Sequence, residues 1–374
     1  MDPERSPDPT SPIAQERVQP GPPSVSFWIA LSLVGGALFL VLVGAGLHPT
    51  SPTESEAAAG AAPLGLADRL GLEGARIVSA ASIAATAVCT ALAGRRLLHS
   101  DGAGILAGVL LALDPGTLGL GRLALPDAIA LASLTGAFAA FLTLRDGLHW
   151  LGAGLLALAA LAQPASILWG IPLGAMGLLR GHIYAAPRHL GISLAQGLLV
   201  PGIAAGTMVA LGTTLPACIP MLSALSLAMV PLHGPVALVH NPILWLGGLA
   251  ALAVMAGAAL LGMGRQVRIA RLPGRLQLRL PDALHPMASR VLWLLALALL
   301  APLPAVWMVL AALALAAGVV WLSEDAPGFG LAVALVLVGF GVVGLVRGWP
   351  LITGAGDPST LTTLVPWGRA VSCP

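Results

Sequence analysis

The sequence predicts an all-α polytopic membrane protein, and three observations carry that prediction. Of its 374 residues, 57% are hydrophobic and only 9% are charged, against roughly 25% charged in a soluble domain. The apolar residues fall into runs of about twenty, the length an α-helix needs to cross a hydrocarbon core of about 30 Å. The basic residues, all 18 of them arginine, fall unevenly on the segments that join those runs. The same composition excludes other classes. A net charge of +2 over so long a chain makes no surface for a phosphate backbone, so nucleic acid is not an expected partner. Cys89, Cys218 and Cys373 lie far apart without a Cys-x-x-Cys and support neither a metal site nor a disulfide framework.

Residues 1–23 are polar and rich in proline. They lack the basic, apolar and Ala-x-Ala order of a cleavable signal, and a disordered cytoplasmic tail is expected there. A transmembrane domain over 24–347 follows. Its expected spans lie near 24–47, 77–94, 103–121, 126–144, 148–163 and 165–179, then near 190–211, 243–264, 290–302, 304–322 and 328–346, about eleven in all. Pro164 and Pro302 each divide a neighbouring pair, and either pair can equally be one long kinked helix, because proline is tolerated in membrane helices whose neighbours satisfy the freed carbonyls.

Orientation follows from the arginines. With the N-terminus in the cytoplasm, Arg5, Arg17, Arg95, Arg96, Arg145, Arg180, Arg188, Arg265, Arg268, Arg271, Arg275, Arg279 and Arg290 lie inside. Arg69, Arg76, Arg122, Arg347 and Arg369 lie outside. An odd number of spans then leaves 348–374 as an extracytoplasmic tail. Two outer loops are long: 48–76, which carries Glu54, Glu56, Asp68 and Glu73, and 212–242, whose apolar stretch 221–230 is too short to span and suits a helix lying in the interface. The cytoplasmic loop 265–289 has five arginines, which serve either as a headgroup-binding surface or, more plainly, as topological anchors.

Ionisable groups inside or beside the spans are rare, and each one is informative. Asp114 lies in Leu113-Asp114-Pro115-Gly116, late in the third span, and Arg122 and Asp127 follow at the next turn. An arginine at the outer surface can hold a lipid phosphate through two parallel charge-assisted hydrogen bonds. The alternative is an Arg122–Asp127 ion pair that only pins the turn; the sequence leaves both open. His48, His233 and His240 flank or occupy the outer loops. Each is a candidate base or ligand, but interfacial packing is the plainer role and no His-Glu-x-x-His spacing occurs. Gln163-Pro164 and Asn241-Pro242 are polar breaks at helix ends, and Trp245, Trp349 and Trp367 suit an outer aromatic belt.

The order of these features resembles the protein O-mannosyltransferases, polyprenyl-phosphate-mannose-dependent enzymes of the GT-C membrane fold, in a shortened and diverged form of the bacterial, actinobacterial type. Four stretches carry the likeness: Pro63-Leu64-Gly65 with Arg76; Ala112-Leu113-Asp114 with Arg122, Asp127 and Arg145-Asp146; His240-Asn241-Pro242-Ile243-Leu244-Trp245; and Trp349-Pro350-Leu351-Ile352-Thr353-Gly354. The resemblance implies a bacterial plasma-membrane enzyme with an extracytoplasmic site. Its donor would be polyprenyl-phosphate-mannose, and its acceptors Ser or Thr hydroxyls of secreted or membrane proteins. Arg122 would hold the carrier phosphate, and Asp114, Asp127, His240 and Asn241 would line the substrate. No further cofactor is implied, and a divalent metal stays open.

The chain departs from that family in its first outer loop. An inverting transfer needs a carboxylate to take the proton of the attacking hydroxyl, and the family supplies an Asp-Glu pair there. This chain has none, and Glu54 and Glu56 are the nearest substitutes. Ala61-Ala62 stand where the family has His and its first Pro, and Gln163-Pro164 where it often has Lys. A non-catalytic relative that binds a polyprenyl-phosphate lipid, or that partners an active transferase in the membrane, is therefore the second reading. A transporter is the third; it requires several ionisable groups near the midplane, and Asp114 is the nearest candidate.

Overall fold

A computed structural model describes residues 22–44, 66–142, 146–174, 243–248, 304–325 and 327–352, with scattered helical positions between 202 and 297. Every element among these residues is a helix. In chain order they are α1 (Val25–Gly44), α2 (Leu66–Leu98), α3 (Asp101–Ala112), α4 (Pro115–Arg122), α5 (Pro126–Leu142) and α6 (Asp146–Ala162). A 3-10 helix (Pro164–Trp169) and a π-helical turn (Ile243–Gly247) precede α7 (Pro304–Asp325) and α8 (Pro327–Ile352). Val25–Gly44, Leu70–Leu98, Ala305–Ser323 and Gly328–Trp349 are long and apolar enough to cross a membrane, and α3 with α4 makes a fifth candidate span bent by 63°. The protein is a helical, membrane-embedded one.

Several expected elements change. The described residues hold four spans, or five with the bent pair, where the sequence suggests about eleven over the whole chain. α5 and α6 are apolar but shorter than a full crossing. Most of the segments near 190–211, 243–264 and 290–302 lie outside the described residues. α2 starts at Leu66 and bends at Gly71, whose φ of 71° suits a residue without a Cβ; the last part of the expected loop 48–76 is therefore helical. The segment after Pro164 begins as a 3-10 helix, and α8 runs beyond 346 to Ile352.

The expected span 103–121 is broken at Asp114-Pro115 for a local reason. Proline has no N–H and pushes the residue before it out of the helical region, and Asp114 has φ −80° and ψ 119°. Its carboxylate then starts the next helix: Asp114 Oδ2 accepts from Thr117 N at 2.8 Å and from Thr117 Oγ at 3.1 Å. Such a cap is worth about 1 kcal/mol. Met308 of α7 packs on the same place, with its sulfur 3.3 Å from the Thr117 hydroxyl.

In lipid, a leucine gains little by leaving hydrocarbon for another helix, so close backbone approach and polar contacts carry the packing. α2 and α3 show both. They are joined by His99, at φ 54°, and Ser100 caps α3 by accepting from Ala103 N at 3.3 Å. Gly104 and Gly108 press on Ala91 and Ala87; a Cβ at Gly104 would stand 2.5 Å from the Ala91 carbonyl oxygen, and one at Gly108 3.0 Å from that of Ala87. Hydroxyls in the bundle turn back on their own helices: Thr86, Thr90, Thr135 and Ser323 each donate to a carbonyl one turn earlier, which satisfies them without water. α7 runs through the interior, while α1 and α8 show Leu33, Leu40, Leu335 and Phe340 to the outside. Trp169 meets Phe138 edge-on and donates its indole N–H to the Leu297 carbonyl at 3.1 Å.

Candidate functional site

The candidate site is the corner where α4 ends and α5 begins. α4 is wedged there between two other helices: a Cβ on Gly121 would stand 2.9 Å from Leu42 of α1 and 3.2 Å from Ile83 of α2. Arg122, the next residue, is 6% exposed. Its place in the last turn of α4 lets it face the helix's partial negative end. Arg76 lies seven residues before Ile83, hence on the same face of α2 and two turns nearer this end. It is 2% exposed, and its charge acts on the Arg122 guanidinium. Two like charges are thus held near one another where water is scarce, and attraction and repulsion are both amplified there.

Asp127 occupies the first turn of α5, where a negative charge is favoured by the helix dipole, and it is 6% exposed. Among the described residues no ion pair joins it to Arg122, and burial alone dominates its electrostatics. The structure therefore does not contain the Arg122–Asp127 pair that would have pinned the turn. Backbone hydrogen bonds hold the turn instead: Leu125 N to the Leu123 carbonyl at 2.8 Å and Ala128 N to the Leu125 carbonyl at 3.3 Å.

Of the residues singled out in the sequence, Arg122 and Asp127 come to one corner. Asp114 does not. It sits at the other end of α4, about 12 Å along the helix axis, where its carboxylate is engaged as a cap. Glu54, Glu56, His48, His233, His240 and Asn241 lie outside the described residues. The π-helical turn that follows His240-Asn241-Pro242 packs on the interior, with Leu244 buried and Gly248 against Ala311. Among the described residues no three His, Cys, Asp or Glu side chains gather where a metal ion is readily held.

Arg76 is the site residue that sequence reasoning missed as such. The sequence puts it at the end of the expected outer loop 48–76, whereas the structure sets it inside a helix and almost wholly buried. The available signal was its position at the head of a long apolar run, Ala75-Arg76-Ile77-Val78, where an arginine is costly unless something uses it. In comparison with known proteins, no family model matches the chain and no curated protein matches it.

Proposed function

We propose that this chain is a lipid-carrier-dependent glycosyltransferase of the O-mannosyltransferase type, which takes mannose from polyprenyl phosphate and places it on Ser or Thr hydroxyls. In this reading it sits in a bacterial plasma membrane, with the N-terminus in the cytoplasm, about eleven spans and the Arg122 corner outside. The single observation that carries it is the buried neighbourhood of Arg76 and Arg122 at one end of the bundle. Two guanidinium groups suit a phosphate, which accepts several charge-assisted hydrogen bonds at once.

The chemistry follows from charge. The acceptor oxygen bonds to the anomeric carbon as the bond from that carbon to the carrier phosphate breaks. The electron pair leaves with the phosphate, and the hydroxyl proton passes to a carboxylate. Cations fixed at the departing phosphate stabilise the charge that develops on it. Glu54 or Glu56 is the proposed proton acceptor, with Asp127 next in line.

The missing Asp-Glu pair in the first loop favours a second reading, in which the chain binds the carrier lipid without turnover. A transfer assay separates the two: purified full chain in lipid, polyprenyl-phosphate-[¹⁴C]mannose and a Ser/Thr-rich peptide. Label on the peptide is expected, and it should fall at least a hundredfold in the Glu54→Gln, Glu56→Gln double variant, as loss of a general base commonly does. Full activity in that variant moves the base to Asp127. Donor binding without any label supports the second reading, and no donor binding overturns both.

A further inference from the structure

The end of the bundle opposite Arg122 carries a second polar arrangement with a different logic. Ser24, just before α1, donates its hydroxyl to Asp101 Oδ2 at 2.6 Å and its N–H to the same oxygen at 3.3 Å. The Ser24 oxygen also caps α1 by accepting from Phe27 N at 3.1 Å. Arg95 Nε donates to Asp101 Oδ1 at 2.5 Å, and its guanidinium lies over the Phe27 ring, 5.4 Å from the centroid. Phe27 is fully buried. One carboxylate at the head of α3 therefore ties the start of α1 to the end of α2.

This matters because the buried residues of α1 beyond the latch, Leu31, Gly35, Leu38 and Leu42, are apolar. Val25, Ile29, Leu33 and Leu40 face outward, and in lipid a sliding apolar helix exchanges one hydrocarbon neighbour for another at small cost. Directional contacts fix axial register where apolar ones do not. α1 is a single helix of 20 residues, a rod of about 30 Å, so whatever fixes one end fixes the other. Its far end carries Leu42, which presses on Gly121 beside Arg122.

We infer that the Ser24–Asp101–Arg95 latch is a positioning device for the anion site at the far end: it holds α1 in register, seats Leu42 on Gly121, and so keeps the Arg122 guanidinium in place for a phosphate. Asp101 is thus a positioning residue and never meets the ligand. The inference rests on the proposed function for the identity of that ligand, a lipid phosphate. The existence of the latch rests on the contacts alone. On the proposed topology it also places a control point for an outer site on the cytoplasmic face, next to the polar N-terminal segment.

The test uses the full chain in lipid nanodiscs, with a short-chain polyprenyl monophosphate as probe and thermal unfolding as the check on folding. Asp101→Asn should weaken probe binding about tenfold, within the usual range of coupling between distant sites, whereas Asp101→Glu should keep most of it. Asp101→Asn and Leu42→Ala should not multiply, since both act through one contact. A disulfide between Gly35→Cys and Val88→Cys, placed where a Cβ on Gly35 would stand 2.7 Å from the Val88 side chain, should restore binding in the Asp101→Asn chain. Unchanged binding in folded Asp101→Asn, fully multiplicative losses, or no rescue by the crosslink would each overturn the inference. Should the unaltered chain not bind the probe, the phosphate reading fails instead. The rate of 35–88 crosslinking then decides the latch by itself, a rate unaffected by Asp101→Asn counting against it.

Discussion

At one end of the bundle an arginine lies against a carboxylate; at the other, an arginine lies near a second arginine, and the closest carboxylate in sequence stays out of the pair. Arg95 and Asp101 are joined at 2.5 Å across the α2–α3 turn, whereas Asp127 makes no ion pair with Arg122 among the described residues. Both arginines are almost fully buried, so burial alone does not separate them. What separates them is the company they keep. At Arg95 a carboxylate of the next helix meets the charge; at Arg122 a second buried guanidinium lies nearby, and like charges so placed raise the local affinity for an anion.

Four substitutions break or sharpen that contrast. Arg122→Ala has the largest expected effect: the affinity for a polyprenyl monophosphate should fall more than tenfold, the share of a charge-assisted hydrogen bond, while the unfolding temperature stays close to that of the parent. Equal binding by parent and variant would remove Arg122 from the site. Arg95→Ala should lower stability and, by opening the latch to Asp101, also weaken probe binding, though less than Arg122→Ala does. It loses the bond to Asp101 and the contact over Phe27, and chemical denaturation should show a loss of about 1.5 kcal/mol, discounted for the partly exposed Asp101.

Asp114→Ala should cost about 1 kcal/mol by removing the cap of α4, read from the same denaturation curves. A larger loss, with loss of probe binding, would make Asp114 more than a cap. The smallest change is expected for Asp127→Asn, within about 0.5 kcal/mol of the parent or slightly stabilising, because no ion pair among the described residues is lost and a buried carboxylate becomes a neutral amide. Marked destabilisation by Asp127→Asn would mean that this carboxylate has a structural partner, and the contrast between the two ends would narrow.

Much of the fold was legible residue by residue. α1 follows from an unbroken apolar run between Ser24 and Gly44, and α7 and α8 from runs bounded by prolines and by Glu324-Asp325. The break within 103–121 was less so. Asp114-Pro115 was visible as a polar-proline pair, but a proline in a membrane span bends, breaks or is absorbed according to what its neighbours offer, and here Thr117 and Met308 decided it. The start of α2 was misjudged because Asp68, Arg69 and Glu73 give 66–76 the composition of a loop, although helix formation does not require an apolar surface there. Asp114 and Asp127 looked alike in sequence, each an aspartate beside a proline, yet one caps a helix and the other opens one.

By itself the sequence determined that this chain folds as helices in a membrane, because a backbone surrounded by hydrocarbon must satisfy its own hydrogen bonds and the apolar runs are long enough to span. It also determined which few residues carry charge near those helices. Which charges meet was decided only by the tertiary structure. Arg95 and Asp101 are six positions apart, Arg122 and Asp127 five, and only the first two pair. The difference lies in the turns and in the third helix at each corner: His99 at positive φ folds Asp101 back toward Arg95, while Gly121 lets α1 and α2 close on α4 and brings Arg76 toward Arg122. Such meetings depend on the angles between helices, which no spacing along the chain encodes.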